Sequence, residues 1–437
     1  MSDRRFFELS TTWPPLRNKS DEEVAEIGIR LGYNILTRVA DFEQGTNRDF
    51  FRASATTLAL WFVENAWRLR YETLHDPRYP SVDWRLSHDM TSVGAGLLWP
   101  PAMIYGSGER VIFAPSVGPR SNVGAQQFLE VLPGSVIGRD FDDELERFFS
   151  KVIDHHGNRA SGEELKARVA RWRDERADPD FAGWRRLEAA LGYNIDSAPE
   201  NLLEHLIELE SLVGESGIEE AAASSPGAQS ASTLSTAIEA TQSSPLQLDF
   251  AVIEGVNIDA SASNSHPWQL AEAAAANVRQ KLGLRSTPLL NQDFAQILNV
   301  NWQTIKDARA IAADLPYAAR LMGKGELNKV ALQTTHQKDR RFELARMLGD
   351  AIWSGDAKFG LVSRAKTDRQ KFQRAFAQSL LCPYDALKDS IDMSAPSDVQ
   401  IAGAAQKFHV RESVITSLLA YKGVLQFENL EQRLEAA

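Results

Sequence analysis

Apolar positions recur at helical spacing over much of the chain, and helix is the first element they predict. From Asp21 to Tyr71 the pattern reads as helix. SDEEVAEIGIRLGYNILTRVADF offers Ser20 as an N-cap with Glu23 three residues on, the arrangement of a capping box. RASATTLALWFVENAWRLRYE follows, dense in Leu58, Trp61, Phe62, Trp67 and Leu69, and a face this apolar requires burial, so its tryptophans read as core. The texture then changes. GAGLLWPPAMIYGSGERVIFAP predicts a short hairpin, MIY and VIF joined by a turn at YGSGE. Helical spacing returns from Asp140 to Val213, with Gly157 as the C-cap of DFDDELERFFSKVIDHHG and ENLLEHLIELESLV closing the unit.

From Gly214 to Gln247 the chain is rich in Ala, Ser, Thr and Gln and lacks aromatics. It reads as a partly helical linker, the alternative being one or two alanine-rich helices broken at Pro226. Beyond it, PWQLAEAAAANVRQKLGL predicts an amphipathic helix and LLNQDFAQILNV a shorter one. In ELNKVALQTTH, Val330 and Leu332 alternate with smaller or polar residues, as in a short strand. SDVQIAGAAQKFHVRESVITSLLAYKGVL has the rhythm of a helix-turn-helix: Val399, Ala402 and Ala405 inward on one helix, Phe408 and Val410 in the turn, and Val414, Ile415, Leu418 and Leu419 on a second helix that stops at Gly423. The expected architecture is α+β and predominantly α-helical. It comprises a mostly helical domain with a small β-hairpin over residues 1–213, a linker over 214–250, and a helical domain with a short β-sheet over 251–437.

Composition narrows the chemistry. The 437 residues are 43% hydrophobic, enough for a sizeable core, and the formal net charge of −11 disfavours dedicated binding to phosphate backbones. The single cysteine, Cys382, cannot form an internal disulfide or a zinc-thiolate cluster. Neither a signal peptide nor a membrane span is predicted, so a cytoplasmic location is expected. His88 and Asp89 are neighbours before the hairpin and read as structural. His155 and His156 are adjacent, so on a helix they point about 100° apart and do not suit a metal pair, which needs i, i+3 or i, i+4 spacing.

Three stretches, in order, carry a resemblance: RRFELARMLGDAIW, then RQKFQRAFAQSLLCP, then AAQKFHVRESVITSLLAYKGVL. Together they resemble the ImmA/IrrE-type zinc metallopeptidases over residues 265–425, which implies a zincin-like C-terminal domain. In such a site two histidines at i and i+4 hold Zn²⁺, the glutamate after the first activates the bound water, and a carboxylate from the next helix completes the set. Carried over, the first histidine position is Arg346, the glutamate position Met347 and the second histidine position Asp350. Arg346 has no lone pair to offer a metal, Met347 cannot accept a proton, and Ser379 stands where the next helix commonly carries an acid. Phe342, Leu344, Leu348, Phe376 and Leu381 match the family and pack helices. The resemblance thus implies a degenerate site with no metal and no cofactor, in which Arg346 and Asp350 form an ion pair across the vacated space.

The leading expectation is therefore a non-catalytic regulatory protein that binds a helix-turn-helix repressor or an antitoxin-type partner. Two alternatives stay open. One is a DNA-binding regulator using residues 397–423, although Arg411, Glu412, Ser413, Ser417 and Lys422 make a thin reading surface. The other is an enzyme with a reused cleft around Asp350, flanked by His336 and Asp368.

Overall fold

The computed structural model describes residues 6–426 except 16–23, 76–78, 117–125, 130, 157–159, 259–264, 324–326 and 356. It is an α+β protein, predominantly helical. The chain divides into two compact units, the second beginning at Pro199.

The first unit opens with strands where helix was expected. These are β1 (Phe7–Thr12), β2 (Val24–Leu31), β3 (Asn34–Ile35), β4 (Val39–Asp41), β5 (Thr46–Arg48) and β6 (Phe51–Ser54). Antiparallel β1, β3 and β6 all pair with β2. Val24, Ile27 and Ile29 supply the β-branched side chains that favour a pleated, buried surface. Ser20 and Glu23, the expected capping box, lie outside the described residues. Helix α1 (Ala55–Tyr71) follows as expected, with Ser54 as its capping side chain. After α2 (Val82–His88) comes the expected hairpin, β7 (Ala102–Gly106) and β8 (Arg110–Pro115), joined by β10 (Gly134–Ile137) in a three-stranded sheet; β9 (Gln126–Phe128) pairs with β4. Helices α3 (Gly138–His156), α4 (Ala160–Ala177) and α5 (Pro179–Ala190) complete the unit; the expected cap Gly157 lies outside the described residues. One apolar core, built on Phe62, Trp67, Phe113, Phe141 and Phe149, runs from Phe7 to Ala189. With three sheets, this unit carries far more strand than one hairpin.

The second unit begins with α6 (Glu200–Val213), α7 (Glu215–Ser224) and α8 (Ser230–Gln242). The alanine-rich stretch is thus two packed helices and not a linker, broken around Pro226 as the alternative had it. Ala221, Ala222, Ala223, Ala231 and Ala237 are buried with Ile218, Leu234 and Ile238, α7 against the sheet edge and α8 against its central strands. The chain continues through β11 (Gln247–Leu248), α9 (Pro267–Lys281), α10 (Asn291–Gln296), α11 (Trp302–Asp307), β12 (Tyr317–Met322), β13 (Asn328–Ala331), α12 (Gln337–Ser354), β14 (Phe359–Ser363), α13 (Asp368–Leu381), α14 (Tyr384–Lys388), α15 (Asp398–Lys407) and α16 (Glu412–Tyr421). Its sheet runs β11-β13-β12-β14, antiparallel throughout. Helix α13 packs on both α9 and α12. The helix-turn-helix spacing is present, but Ile401 and Ala404 are the inward residues beside Ala405, while Val399 is 82% exposed. No helix among the described residues is long and apolar enough to cross a membrane.

Candidate functional site

Helix α12 carries the segment that resembles a zinc-binding helix. Its inward face holds Leu344, Ala345, Met347, Leu348 and Ile352, all in the core. Gly349 allows α12 and α13 to approach closely: a Cβ there would meet the Phe376 ring at 3.0 Å. The two arginines before this face are clamps. Arg340 donates to the Ile305 and Thr334 carbonyls, and Arg341 to Leu289 O and Asn291 Oδ1, its guanidinium lying over the Phe294 ring.

At Arg346, Met347 and Asp350 the structure places two fully or partly buried ions and one apolar side chain. Met347 is fully buried within the apolar core. Asp350 is also fully buried, and both of its oxygens are engaged: Oδ2 accepts from Arg320 Nε at 2.9 Å, and Oδ1 accepts from Arg369 Nε and Gln373 Nε2, each at 2.7 Å. Burial pushes the Asp350 carboxyl up, but Arg369 and Arg320 outweigh it and hold the group below its ordinary value. Gly360 on β14 makes room for this pair, since a Cβ there would sit 1.8 Å from Asp350 Oδ2.

Arg346 is half-buried and does not pair with Asp350. Its Nη2 donates to Ser363 O at 2.6 Å and Gln370 Oε1 at 2.7 Å, with Gln373 Oε1 at 3.3 Å. Gln373 therefore stands between the two ions, accepting from one and donating to the other. The expected ion pair is replaced by a relay because Asp350 has two closer guanidinium partners. Burial and then the neighbouring Arg374 push the Arg346 guanidinium below its ordinary value.

Gln370 extends the relay to the sheet. Its Oε1 accepts from Ser363 N at 3.0 Å while its Nε2 donates to Leu361 O at 3.0 Å. One amide thus satisfies the outward-facing groups of edge strand β14 as a residue of an adjacent parallel strand would. The same Nε2 donates to Glu220 Oε2 at 2.8 Å, and Thr367 Oγ1 donates to Glu220 Oε1 at 2.5 Å, which anchors α7 to this edge. Burial raises the Glu220 carboxyl above its ordinary value, against the opposing pull of Arg369.

The remaining predicted residues are not gathered at this point. His336 is exposed at the N-cap of α12, about 21 Å along the helix from Asp350 at 1.5 Å per residue. Ser379 is half-buried near the other end of α13, and Gln370 and Gln373 occupy the positions that face α12. Asp368 is buried in the first turn of α13, where its charge complements the helix dipole, and its neighbour Arg369 is the residue that reaches Asp350. Sequence reasoning did not single out Arg320, Glu220, Arg369, Gln370 or Gln373. The last three form a polar stripe at i, i+1 and i+4 on an otherwise apolar helix face, a signal visible in RQKFQRAF.

Beside Arg346 lies a cavity of about 250 Å³ whose wall includes Phe342, Glu343, Arg364 and Arg411. Glu343 is buried and accepts from the Gln333 and Thr334 amides, and Arg411 is paired with Asp339. Of the five polar residues that the DNA-binding alternative would use, Arg411, Ser413, Ser417 and Lys422 line concavities within the unit. His88, His155 and His156 of the first unit make structural contacts. His88 bonds Ile104 O at 2.7 Å and Glu72 Oε2 at 2.9 Å, His156 bonds Thr56 Oγ1 at 2.8 Å, and His155 stacks on Trp13. Asp89 caps the turn after α2 through the Thr91 amide. Cys382 is buried, its thiol pushed up to about 12. Among the described residues no group of three or more His, Cys, Asp and Glu side chains is placed to hold a metal ion. No family model, curated protein or solved structure matches this chain.

Proposed function

We propose that the second unit is a pseudo-peptidase, a helical scaffold of the ImmA/IrrE kind that acts by binding and not by cutting. One observation carries the reading: each position on α12 where that chemistry needs a metal ligand or base is committed to another task. Asp350 neutralises two guanidinium groups, Arg346 caps a strand, and Met347 fills the core. A carboxylate held by two arginines has no lone pair directed at open space, and a permanent cation repels a divalent ion. The closed edge of β14 points the same way, because an extended peptide has no free backbone groups at Ser363 to pair with. The proposed role is regulatory, through a protein partner of the repressor or antitoxin type, at a cytoplasmic location.

Elemental analysis tests the chemical half. After loading with zinc and dialysis, the protein is expected to retain under about 0.1 equivalent. A retained stoichiometric zinc overturns the reading. Cross-linking capture tests the other half: an intact helix-turn-helix protein bound to the full chain supports it, and a cleaved one overturns it.

A further inference from the structure

The cavity of about 250 Å³ beside Arg346 takes its walls from α12 and the segment before it, the end of β14 and the start of α16. Its charged side chains are unevenly matched. Lys338, Arg346, Arg364 and Arg411 stand against Asp339 and Glu343, a formal charge of +2 on a chain of −11. Arg411 and Asp339 pair with each other. Glu343 has both oxygens engaged, by the Gln333 and Thr334 amides and the Thr334 hydroxyl. The other three cations have donors to spare. Lys338 and Arg364 make no hydrogen bond or ion pair among the described residues. Arg346 makes all its bonds through Nη2; Nε is buried without an acceptor, and Nη1 has none among the described residues. Arg364 is exposed, whereas Lys338 and Arg346 are half-buried, so water screens their charges less. Like charges gathered on one concave wall favour an anion that carries two charges. A guanidinium fork binds tetrahedral oxyanions through paired N–H donors, and a phosphate monoester carries close to two negative charges at pH 7. A carboxylate carries one and leaves half of the surplus in place. Phe342, Val362 and Val414 add apolar surface to the same space. The volume lies just under the usual range of ligand pockets and suits an organic body of about one ring.

We infer that this cavity binds a small phosphate monoester, its phosphoryl group among Lys338, Arg346 and Arg364 and its organic body against Phe342, Val362 and Val414. The site stands on its own walls and does not depend on the pseudo-peptidase reading. A ligand seated there touches α12, β14 and α16 together, so its binding stabilises the second unit.

The full chain is titrated in a calorimeter with phenyl phosphate. Phenyl sulfate, of similar shape but one charge, and inorganic phosphate, which has no apolar body, are titrated in parallel. One equivalent of phenyl phosphate is expected to bind, at least about tenfold tighter than either of the others. Joint replacement Lys338→Gln and Arg364→Gln weakens it by a similar factor. These two side chains bond to none of the described residues, so the unliganded variant should melt where the parent does. Asp339→Asn releases Arg411 and tightens binding, a gain that a damaged fold would not produce. Unchanged affinity in both charge variants overturns the site. Equal binding of phenyl sulfate overturns the dianion class, equal binding of inorganic phosphate overturns the ester, and no saturable binding overturns all three.

Discussion

Asp350 shows how one buried carboxylate organises its neighbours. A buried ion pair adds little net stability over an apolar isostere, but removing one partner leaves the others uncompensated. Asp350→Ala leaves Arg320 and Arg369 buried together, and a loss of about 3–5 kcal/mol is expected in the second unit, measured by urea unfolding. Gly360→Ala drives a Cβ into the Asp350 carboxylate, which two guanidiniums hold in place, and should cost about 3 kcal/mol by the same measurement. The two acids of this region respond to pH in opposite ways. Glu220 lies above its ordinary 4.5, so the folded protein keeps that proton when the unfolded chain has lost it. Its contribution is whole below about pH 4.5 and is lost as pH rises through the folded value. Asp350 lies below its ordinary 3.8, so its contribution is present above that pH and is lost as pH falls through the folded value. Glu220→Gln should flatten the decline in stability above pH 4.5, read by hydrogen exchange in α12 and α13, with the slope that remains belonging to Glu343, which burial also raises.

At the scale of elements, the clearest test is the strand closed by a side chain. Gln370→Ala removes both bonds to β14, and the Ser363 amide is expected to exchange at least about tenfold faster, with a stability loss of about 1–3 kcal/mol. Elements with long, regular spacing were legible in the sequence. Helices α1, α9, α12 and α13 each show an apolar stripe over several turns, and the hairpin β7–β8 is marked by its glycine turn. Strand β2 was missed although VAEIGIRL alternates, with Ala25, Ile27, Ile29 and Leu31 on the buried face and Glu26 and Arg30 on the other, because the plausible cap just before it favoured a helical reading. Helices α7 and α8 looked like linker because alanine and serine carry weak hydrophobic signal even when buried. Of the candidate site, the committed positions Arg346, Met347 and Asp350 could be read locally. Arg320, which pairs with Asp350, and Glu220, which holds Gln370, come from distant segments brought in only by the sheet and α7, and no local pattern announces them.

Over the whole molecule, the two units hold separate apolar cores, one among residues 7–195 and the other among residues 246–425. Calorimetry should therefore resolve two transitions. Asp350→Ala is expected to lower the one from the second unit by about 6–20 °C and leave the other in place. Gly106→Ala, whose Cβ would lie 2.5 Å from the Arg70 carbonyl oxygen, should lower only the other. A single transition displaced by both variants would show that the cores melt as one.

The sheet of the second unit ends on one side in a strand of two residues and on the other in β14, whose outward amide and carbonyl groups at Ser363 are already occupied. Neither margin offers a template on which another chain can grow. At the high concentrations of expression or storage, this unit should resist ordered aggregation from its native state, and Gln370 is the residue whose loss would open a nucleation point for fibrils.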